Sequence, residues 1–536
     1  MKILKNCKFG LLLIATTLAT ACKGGSFNAK TLNIYLYKGG YGTEWLNAVG
    51  KAFETDPLVK EKYGSVKIKV RTVNALDDYA KGQIEGLSNM YDIYFGMNLQ
   101  SEIGKTGGNR KPYYVDLNDV YESKVLGEDI TVGEKMLASA REANAIADGR
   151  GKTTYYTMPW AGGYNGIMYN PDILEKYNIE VPVTTDQLIK ANKKITVSDP
   201  DHYSIIQGCN KPESCYWTYL YPTWWAQYEG YGQYINFWYG KLSDEEKNYS
   251  NIDIFKQLGR LTSLKALEEL FMDFEEGGQK YNNMFQQAES TDYLTAQTNF
   301  FQGKGAFMAC GDWYHNEMAD FIAQAKERGQ SIANVRMMRT PVNSAIIDRL
   351  STINDDDTLS AVIKAIDNNE TSYTDVSEED FKAVVEARQM IYSTGNYHTA
   401  VIPYVCKKVE LAKGFLGYLA TDKANDLFIQ KSGGSCMFYK YDLKSKNPDL
   451  YNSLNATSKM MVDLYNNKVH EAVPLPIPNN FRIFREGGVT LLNAHPVNQL
   501  EINFRIREPL TAQKYYDDDI AYWTPERWAI LQGKLA

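Results

Sequence analysis

Leu32-Asn33-Ile34-Tyr35-Leu36-Tyr37 alternates as a strand does, and Gly39-Gly40-Tyr41-Gly42 turns the chain after it. Thr43 then stands where a helix cap belongs, ahead of an apolar stripe of Trp45, Val49, Ala52 and Phe53. Pro57 is expected to end that helix. Val66, Ile68 and Val70 alternate again, residues 76–87 carry a helical pattern, and Tyr91-Asp92-Ile93-Tyr94-Phe95 reads as the next strand. Strand, helix, strand, helix, strand predicts an α/β chain with a largely parallel sheet covered by helices. Ligands on such sheets gather at the carboxyl ends of the strands, where the loops 38–43 and 96–101 fall.

What precedes this unit sets the compartment. Lys2, Lys5 and Lys8 precede an apolar run over 9–21, the layout of a signal peptide and too short for a span of roughly 20 residues. Leu18-Ala19-Thr20-Ala21-Cys22 resembles a bacterial lipobox, although Ala19 occupies the place where Leu is favoured. The expectation is removal of 1–21, lipidation of Cys22, a tether over 22–30, and a protein on the extracytoplasmic face of the cell membrane. The alternative is an ordinary secretory leader with a chance cysteine. About 515 residues would remain, more than one core supports, so at least two domains are expected. The chain carries a net charge of −7, and with no long basic run it is a poor partner for nucleic acid or an anionic membrane surface. Five further cysteines, an odd number, are not a disulfide framework. Cys209 and Cys215 enclose a Pro-containing loop and could pair, but connectivity does not follow from sequence.

A second unit begins near Met158. Gly166-Ile167-Met168-Tyr169 is strand-like, Asn170-Pro171 is a cap followed by proline, and Thr184-Thr185-Asp186-Gln187 has capping-box character. Over 346–400 the texture becomes acidic, with little strand character, and predicts an inserted, mostly helical segment. Its acidic clusters lack calcium-loop spacing, so a solvated face is expected. Val401-Ile402-Pro403-Tyr404-Val405 resumes as strand, followed by a helical pattern over 411–430 that stops at Gly433-Gly434.

Four segments in order resemble the family 1 extracellular solute-binding proteins, the maltose-binding-like group. They are Tyr155-Tyr156-Thr157-Met158-Pro159-Trp160-Ala161-Gly162-Gly163 with Gly166-Ile167-Met168-Tyr169-Asn170; Phe301-Gln302-Gly303-Lys304-Gly305-Ala306-Phe307-Met308-Ala309-Cys310-Gly311-Asp312-Trp313; Met337-Met338-Arg339-Thr340-Pro341; and Ala412-Lys413-Gly414-Phe415-Leu416-Gly417-Tyr418-Leu419. The last glycine pair is followed by Ser435-Cys436-Met437, where the family has a Pro-containing turn. The resemblance implies a two-lobed fold of the periplasmic-binding-protein type (class II), with hinge crossings and a ligand cleft between the lobes. Lobe one would hold 31–157 and the return 401–436, and lobe two 158–345 and 437–536. Met337–Thr340 would begin the return across the hinge. It further implies a monomer without cofactor or metal, a carbohydrate ligand, and ABC permease subunits as partners.

Sugar faces pack on aromatic rings and sugar hydroxyls seek carboxylates and amides. On that chemistry the ligand candidates are Trp313 and Asp312 in one loop, Trp160 beside the hinge, Trp217 and Trp224 in the aromatic stretch 215–227, and Tyr41, Glu44 and Asn98 from lobe one. Asp312 could instead cap a helix starting at Trp313. Trp45 lies on an apolar helical stripe and is expected in the core, and Tyr219 is expected to pack rather than bind. Trp224 and Trp225 diverge by about 100° on a helix, so at most one faces a ligand. A secreted glycoside hydrolase or lyase is the alternative class, as is a binding protein for another solute. No metalloprotease, phosphate-loop or serine-elbow motif is present in the sequence.

Overall fold

The computed structural model describes residues 30–535 except 74–76, 87–89, 104–111, 148–152, 200, 212–214, 286, 496, 498–499, 501–503 and 505–509. The expected leader, Cys22 and all but the last residue of the tether lie outside the described residues.

Two sheets organise the chain. Their strands, in order, are β1 (Thr31–Tyr37), β2 (Lys67–Val73), β3 (Ile93–Met97), β4 (Met158–Pro159), β5 (Tyr164–Tyr169), β6 (Tyr203–Ile205), β7 (Gly305–Gly311), β8 (Arg336–Met338), β9 (Met390–Ser393), β10 (His398–Val401) and β11 (Val473–Pro474). The first sheet runs β2-β1-β3-β10-β4, parallel through β1, β2 and β3, with β10 antiparallel to β3. The second runs β11-β9-β5-β7-β6, with β8 also beside β5. Each sheet founds one lobe, so the molecule is the two-lobed α/β protein that the opening stretch and the ordered motifs predict.

The opening unit shows how residue pattern becomes packing. Helix α1 (Glu44–Thr55) buries Trp45, Leu46, Val49 and Phe53 against the sheet, and β2, at the edge, alternates exposed and half-buried positions. Thr43 makes no side-chain cap. Pro57 ends α1, whose last residue is Thr55 with Asp56 extended ahead of the proline, and also starts a new helix: the Asp56 carboxylate accepts from the Leu58 and Val59 amides, and proline fits the first position of α2 (Pro57–Tyr63). In the second lobe Asn170 and Thr184 cap as their sequences suggest. Gln187 reaches back to the amide of Val183 at 3.0 Å, one residue before the cap.

Several boundaries differ from the sequence reading. Met158–Pro159 belongs to the first sheet, so the chain crosses between lobes at 160–163. Strand β8 stays in the second sheet, and the return crossing comes only at 394–397, between β9 and β10. The inserted helices Asp356–Asp367 and Glu378–Gln389 therefore end before β9, and 390–401 is strand-rich rather than helical. The insert owns a small core that includes Val342, Ile363, Phe381 and Val384. Its acidic runs are helix starts: Asp355 caps the first helix, and Asp380 in the second accepts from the Ser351 and Thr352 amides at 2.9 and 2.6 Å. The pattern over 411–430 is two helices, Val409–Tyr418 and Asp422–Lys431, broken where Thr421 caps the second. The segment 437–472 also divides differently. Phe438, Leu443, Met461 and Tyr465 pack in a core shared by the first sheet and by Tyr164, Met168 and Met308 of the second, whereas β11 joins the second sheet and Leu475, Phe481, Tyr515 and Trp528 pack in the core of lobe two. Cys209 and Cys215 are buried against each other in a separate small contact. Among the described residues no helix is long and apolar enough to cross a membrane.

Candidate functional site

Where the two crossings meet, the backbones touch. Gly163 adopts φ +62°, and a Cβ on Gly395 would lie 1.9 Å from the Ala161 carbonyl oxygen. Only glycine permits that approach. Thr394 donates its amide to the Gly163 oxygen at 2.9 Å, the Ser393 hydroxyl bonds the Gly162 oxygen, and the Gly162 amide donates to the Cys436 oxygen at 2.6 Å.

Aromatic rings fill the space around this junction. Trp160 stacks on Trp45 at 5.1 Å and meets His398 edge-on at 5.0 Å. Tyr41, from the loop after β1, is edge-on to Trp160, Trp313 and His398. Its hydroxyl donates to Asp312 Oδ1 at 3.0 Å, tying the first lobe to the end of β7 in the second. Trp313 lies on bare backbone, since a Cβ on Gly40 or on Gly311 would fall 2.6 or 2.1 Å from its ring. Asp312 does not cap the following helix; its Oδ2 is buried without a hydrogen-bond partner. Burial, opposed by the bonds from Tyr41 and Ser435, pushes the Asp312 carboxyl up to about 7. Burial likewise lifts nearby Glu317 to about 7 and holds His398 down at about 4.

A row of tyrosines leads away from Trp313 along the seam between the lobes. Tyr216 meets Trp313 edge-on at 6.0 Å, stacks on Tyr219 at 5.7 Å, and Tyr219 stacks on Tyr392 at 5.1 Å. The Tyr392 and Tyr397 hydroxyls are 3.4 Å apart. Asn98, in the left-handed region at φ 54°, donates its amide to the Tyr397 oxygen at 3.0 Å and accepts from Asn479 at 3.4 Å.

Beyond Asn479 the seam opens into a hollow of about 300 Å³ walled by both lobes. Lobe one supplies Glu142, Ala143, Ala145 and Thr153, and lobe two supplies Tyr231, Tyr239, Asn480 and Phe481 with aliphatic neighbours. Asn480 reaches across through its side-chain amide to the Ala143 oxygen, while its own Oδ1 is buried without a partner. Burial, then the Glu142 carboxylate, holds the Tyr231 hydroxyl well above its ordinary range. The arrangement is three rings and a facing carboxylate, a composition that suits a small-molecule site.

The structure thus brings Tyr41, Trp160, Asp312 and Trp313 together at the hinge and places Asn98 on the same seam. It leaves Glu44 exposed at the start of α1. Trp217 and Trp224 lie elsewhere, fully buried in the core of lobe two. Trp217 packs edge-on to Phe271, and Trp224 donates to the Pro341 oxygen at 2.9 Å. The reason is local: Leu220–Glu229, which carries Trp224, is a helix buried on almost every side and packed on the helix Leu258–Phe271, and Trp217 lies in the short turn Tyr216–Tyr219 that leads into it, so neither has a cleft to face. Glu142, Tyr231, Tyr239, Asn480 and Phe481 were not singled out in the sequence. They come from three distant segments, and no spacing links them. Among the described residues no group of three or more His, Cys, Asp or Glu could hold a metal.

Two lobes, paired crossings and a seam of rings between them define a two-lobed binding protein. The chain belongs to the bacterial extracellular solute-binding protein family, whose model matches residues 39–426. Among solved structures it is similar to unliganded RafE from Streptococcus pneumoniae, with 14% identity and a TM-score of 0.54 over 94% of this chain and 100% of that one. It is similar to RafE in complex with raffinose at 16% identity and a TM-score of 0.53, over 93% and 99%. The GacH receptor of Streptomyces glaucescens, known unliganded and with acarbose, aligns at 14% identity and 0.53, over 92% and 97%. These likenesses show the fold. No curated protein matches the chain in sequence.

Proposed function

We propose that the chain is the lipid-anchored, extracytoplasmic solute-binding component of an ABC importer, with a sugar or oligosaccharide as its ligand. The observation that carries the reading is the interlobe hollow, where Tyr231, Tyr239 and Phe481 face Glu142. Sugar rings present C–H faces to aromatics and hydroxyl edges to carboxylates and amides. The solved RafE and GacH complexes hold raffinose and acarbose, which favours the same ligand class here. Ligand enters between the lobes, the crossings at 160–163 and 394–397 act as the hinge, and Tyr41, Trp160, Asp312 and Trp313 lock the closed form that permease subunits recognise. Asn98 extends the ligand surface along the seam. The protein acts as a monomer, binds without cleaving, and is held to the membrane through Cys22.

A thermal-shift and calorimetric screen against mono- and oligosaccharides, with product analysis, tests this. A ligand at a hundredfold excess over Kd adds about 2.7 kcal/mol of apparent stability. A shift with the sugar recovered intact supports the proposal. Cleaved sugar moves the protein to a hydrolase or lyase, and no response to any saccharide overturns the ligand class. Membrane association that persists in Cys22→Ala would refute anchoring at that residue.

A further inference from the structure

A cavity of about 1010 Å³ lies away from the aromatic seam. One wall is lobe two with its inserted helices, represented by Tyr169, Pro182, Met338 and Arg388. The other is the helical segment that holds Leu443, Lys459, Met460 and Leu464. Leu443 and Leu464 belong to the core cluster that contains the first sheet, so an occupant would touch that core, the second sheet and the insert.

The charge of this lining opposes that of the chain. The protein is net acidic, yet Arg339, Arg388, Lys444, Lys459 and Lys468 here face only Asp367, Asp442 and Asp463. Arg339 and Arg388 share one carboxylate, donating to Asp367 at 2.8 Å and at 3.0 and 2.6 Å. Two guanidinium groups on one carboxylate leave a positive charge uncompensated in a largely buried place, since their further bonds, from Arg339 to the Arg388 oxygen and from Arg388 to the Thr340 oxygen, both at 2.8 Å, go to neutral carbonyls. The Arg339 Nε–H is buried without a hydrogen-bond partner. Burial and then the neighbouring Arg388 hold the Arg339 guanidinium down to about 10. Across the cavity Lys444 and Lys459 both lie 5.5 Å from the Tyr451 ring, and neither has a carboxylate partner among the described residues. Lys459 donates to the Asn452 oxygen at 3.2 Å, and Asp463 on the same wall accepts from the Tyr451 hydroxyl at 3.0 Å. Lys468 is matched by Asp442 at 3.4 Å.

We propose that this cavity is a second binding site, for a small organic polyanion. One oxyanion group is received by Arg339 and Arg388, and a second by Lys444 and Lys459. Guanidinium and ammonium donors both suit carboxylate, sulfate or phosphate oxygens, and Tyr169, Pro182, Met338 and Met460 offer apolar surface for the carbon skeleton between them. The site is independent of the sugar reading, because it shares no residue with the seam or the hollow.

The test titrates the purified mature chain with citrate, tripolyphosphate and inorganic phosphate, against chloride at matched ionic strength. Thermal shift and calorimetry are the readouts. Citrate or tripolyphosphate should raise Tm well beyond chloride, and single-group phosphate should bind at least tenfold more weakly than whichever of them binds. A response to citrate alone would mark a carboxylate ligand, and to tripolyphosphate alone a phosphate ligand. The paired variant Lys444→Ala with Lys459→Ala, both on the cavity rim, should weaken polyanion binding at least tenfold and leave saccharide binding unchanged. The proposal is overturned if neither polyanion shifts Tm beyond chloride, if phosphate binds as well as they do, or if the paired variant keeps full polyanion affinity.

Discussion

The hinge knot and the hollow are both interlobe, both aromatic and both furnished with a carboxylate, yet they differ in what holds them. At the knot, glycines let backbone meet backbone and ring, so Trp160 and Tyr41 are all but fully buried and Trp313 retains only 8% exposure. At the hollow, Tyr231 and Tyr239 are half-buried and Glu142 is exposed. Ring composition therefore marks the surface between the lobes, while the closeness of the backbones decides whether rings become structure or wall. The comparison predicts that substitutions at the knot act first on stability and those at the hollow on affinity.

The largest effect belongs to the knot. Trp160→Ala removes a buried ring stacked on Trp45 and edge-on to Tyr41, Phe95 and His398. It should cost about 3–5 kcal/mol in denaturant unfolding. A cost under about 1 kcal/mol would mean that the knot is a binding surface like the hollow, and would erase the contrast.

Asp312 gives a pH-resolved version. Its folded carboxyl keeps its proton to about 7 because burial penalises the charge, whereas an unfolded one releases it near 4. Between those values the folded state binds more protons than the unfolded, so this group's contribution to stability falls as pH rises from about 4 to about 7. Asp312→Asn keeps an oxygen for the Tyr41 hydroxyl and never ionises. The variant should match the parent near pH 4 and exceed it by pH 8, by an amount on the order of 3–4 kcal/mol. His315 and His398, held neutral at about 4 by burial, slope the other way in both proteins. Only the difference between variant and parent isolates Asp312, and a difference that does not grow with pH would refute the buried-charge account.

How much of this was legible in the sequence follows the range of the interactions. Alternation in 32–37, the Asn170-Pro171 cap and the glycine-framed motif ending at Trp313 are local, and each appears in the structure in its expected element. Trp160, Asp312 and Trp313 were legible through the ordered family motifs and Tyr41 through its loop at the carboxyl end of the first strand, but no periodicity joins residues 41 and 312 to show that they meet. Trp217 and Trp224 misdirect a reading by composition, because a helix buried all round is as aromatic as a binding loop. The hollow was not legible: Glu142 ends a short helix in one lobe, Tyr239 follows a helix in the other, and Asn480 sits in a turn that closes only when the lobes are placed. Strand boundaries near 158 and 390 were displaced because two-residue and four-residue strands carry too little alternation to show their sheet.

At the hollow the expected effects are smaller and fall on the ligand. Tyr239→Ala removes one wall ring that is half-buried and packs only on the margin of the lobe-two core. It should weaken saccharide binding by about 1–2 kcal/mol, roughly a tenfold rise in Kd, with Tm of the unliganded protein little changed. A large loss of Tm with unchanged Kd would reverse the roles assigned to the two regions.

Glu142→Gln is the finest probe. The carboxylate is exposed on lobe one, facing hydroxyl-bearing rings of lobe two. Gln keeps one acceptor oxygen and the side-chain length but loses the charge, so a hydroxyl-rich neutral ligand should lose only about 0.5–1 kcal/mol of binding. A loss much larger than this would show that the hollow prefers a cationic ligand, because three rings and a full carboxylate also suit an ammonium group. No loss at all, beside a clear loss in Tyr239→Ala, would place the ligand against the lobe-two wall alone. Closure would then owe its free energy to the knot rather than to contacts from both sides of the hollow.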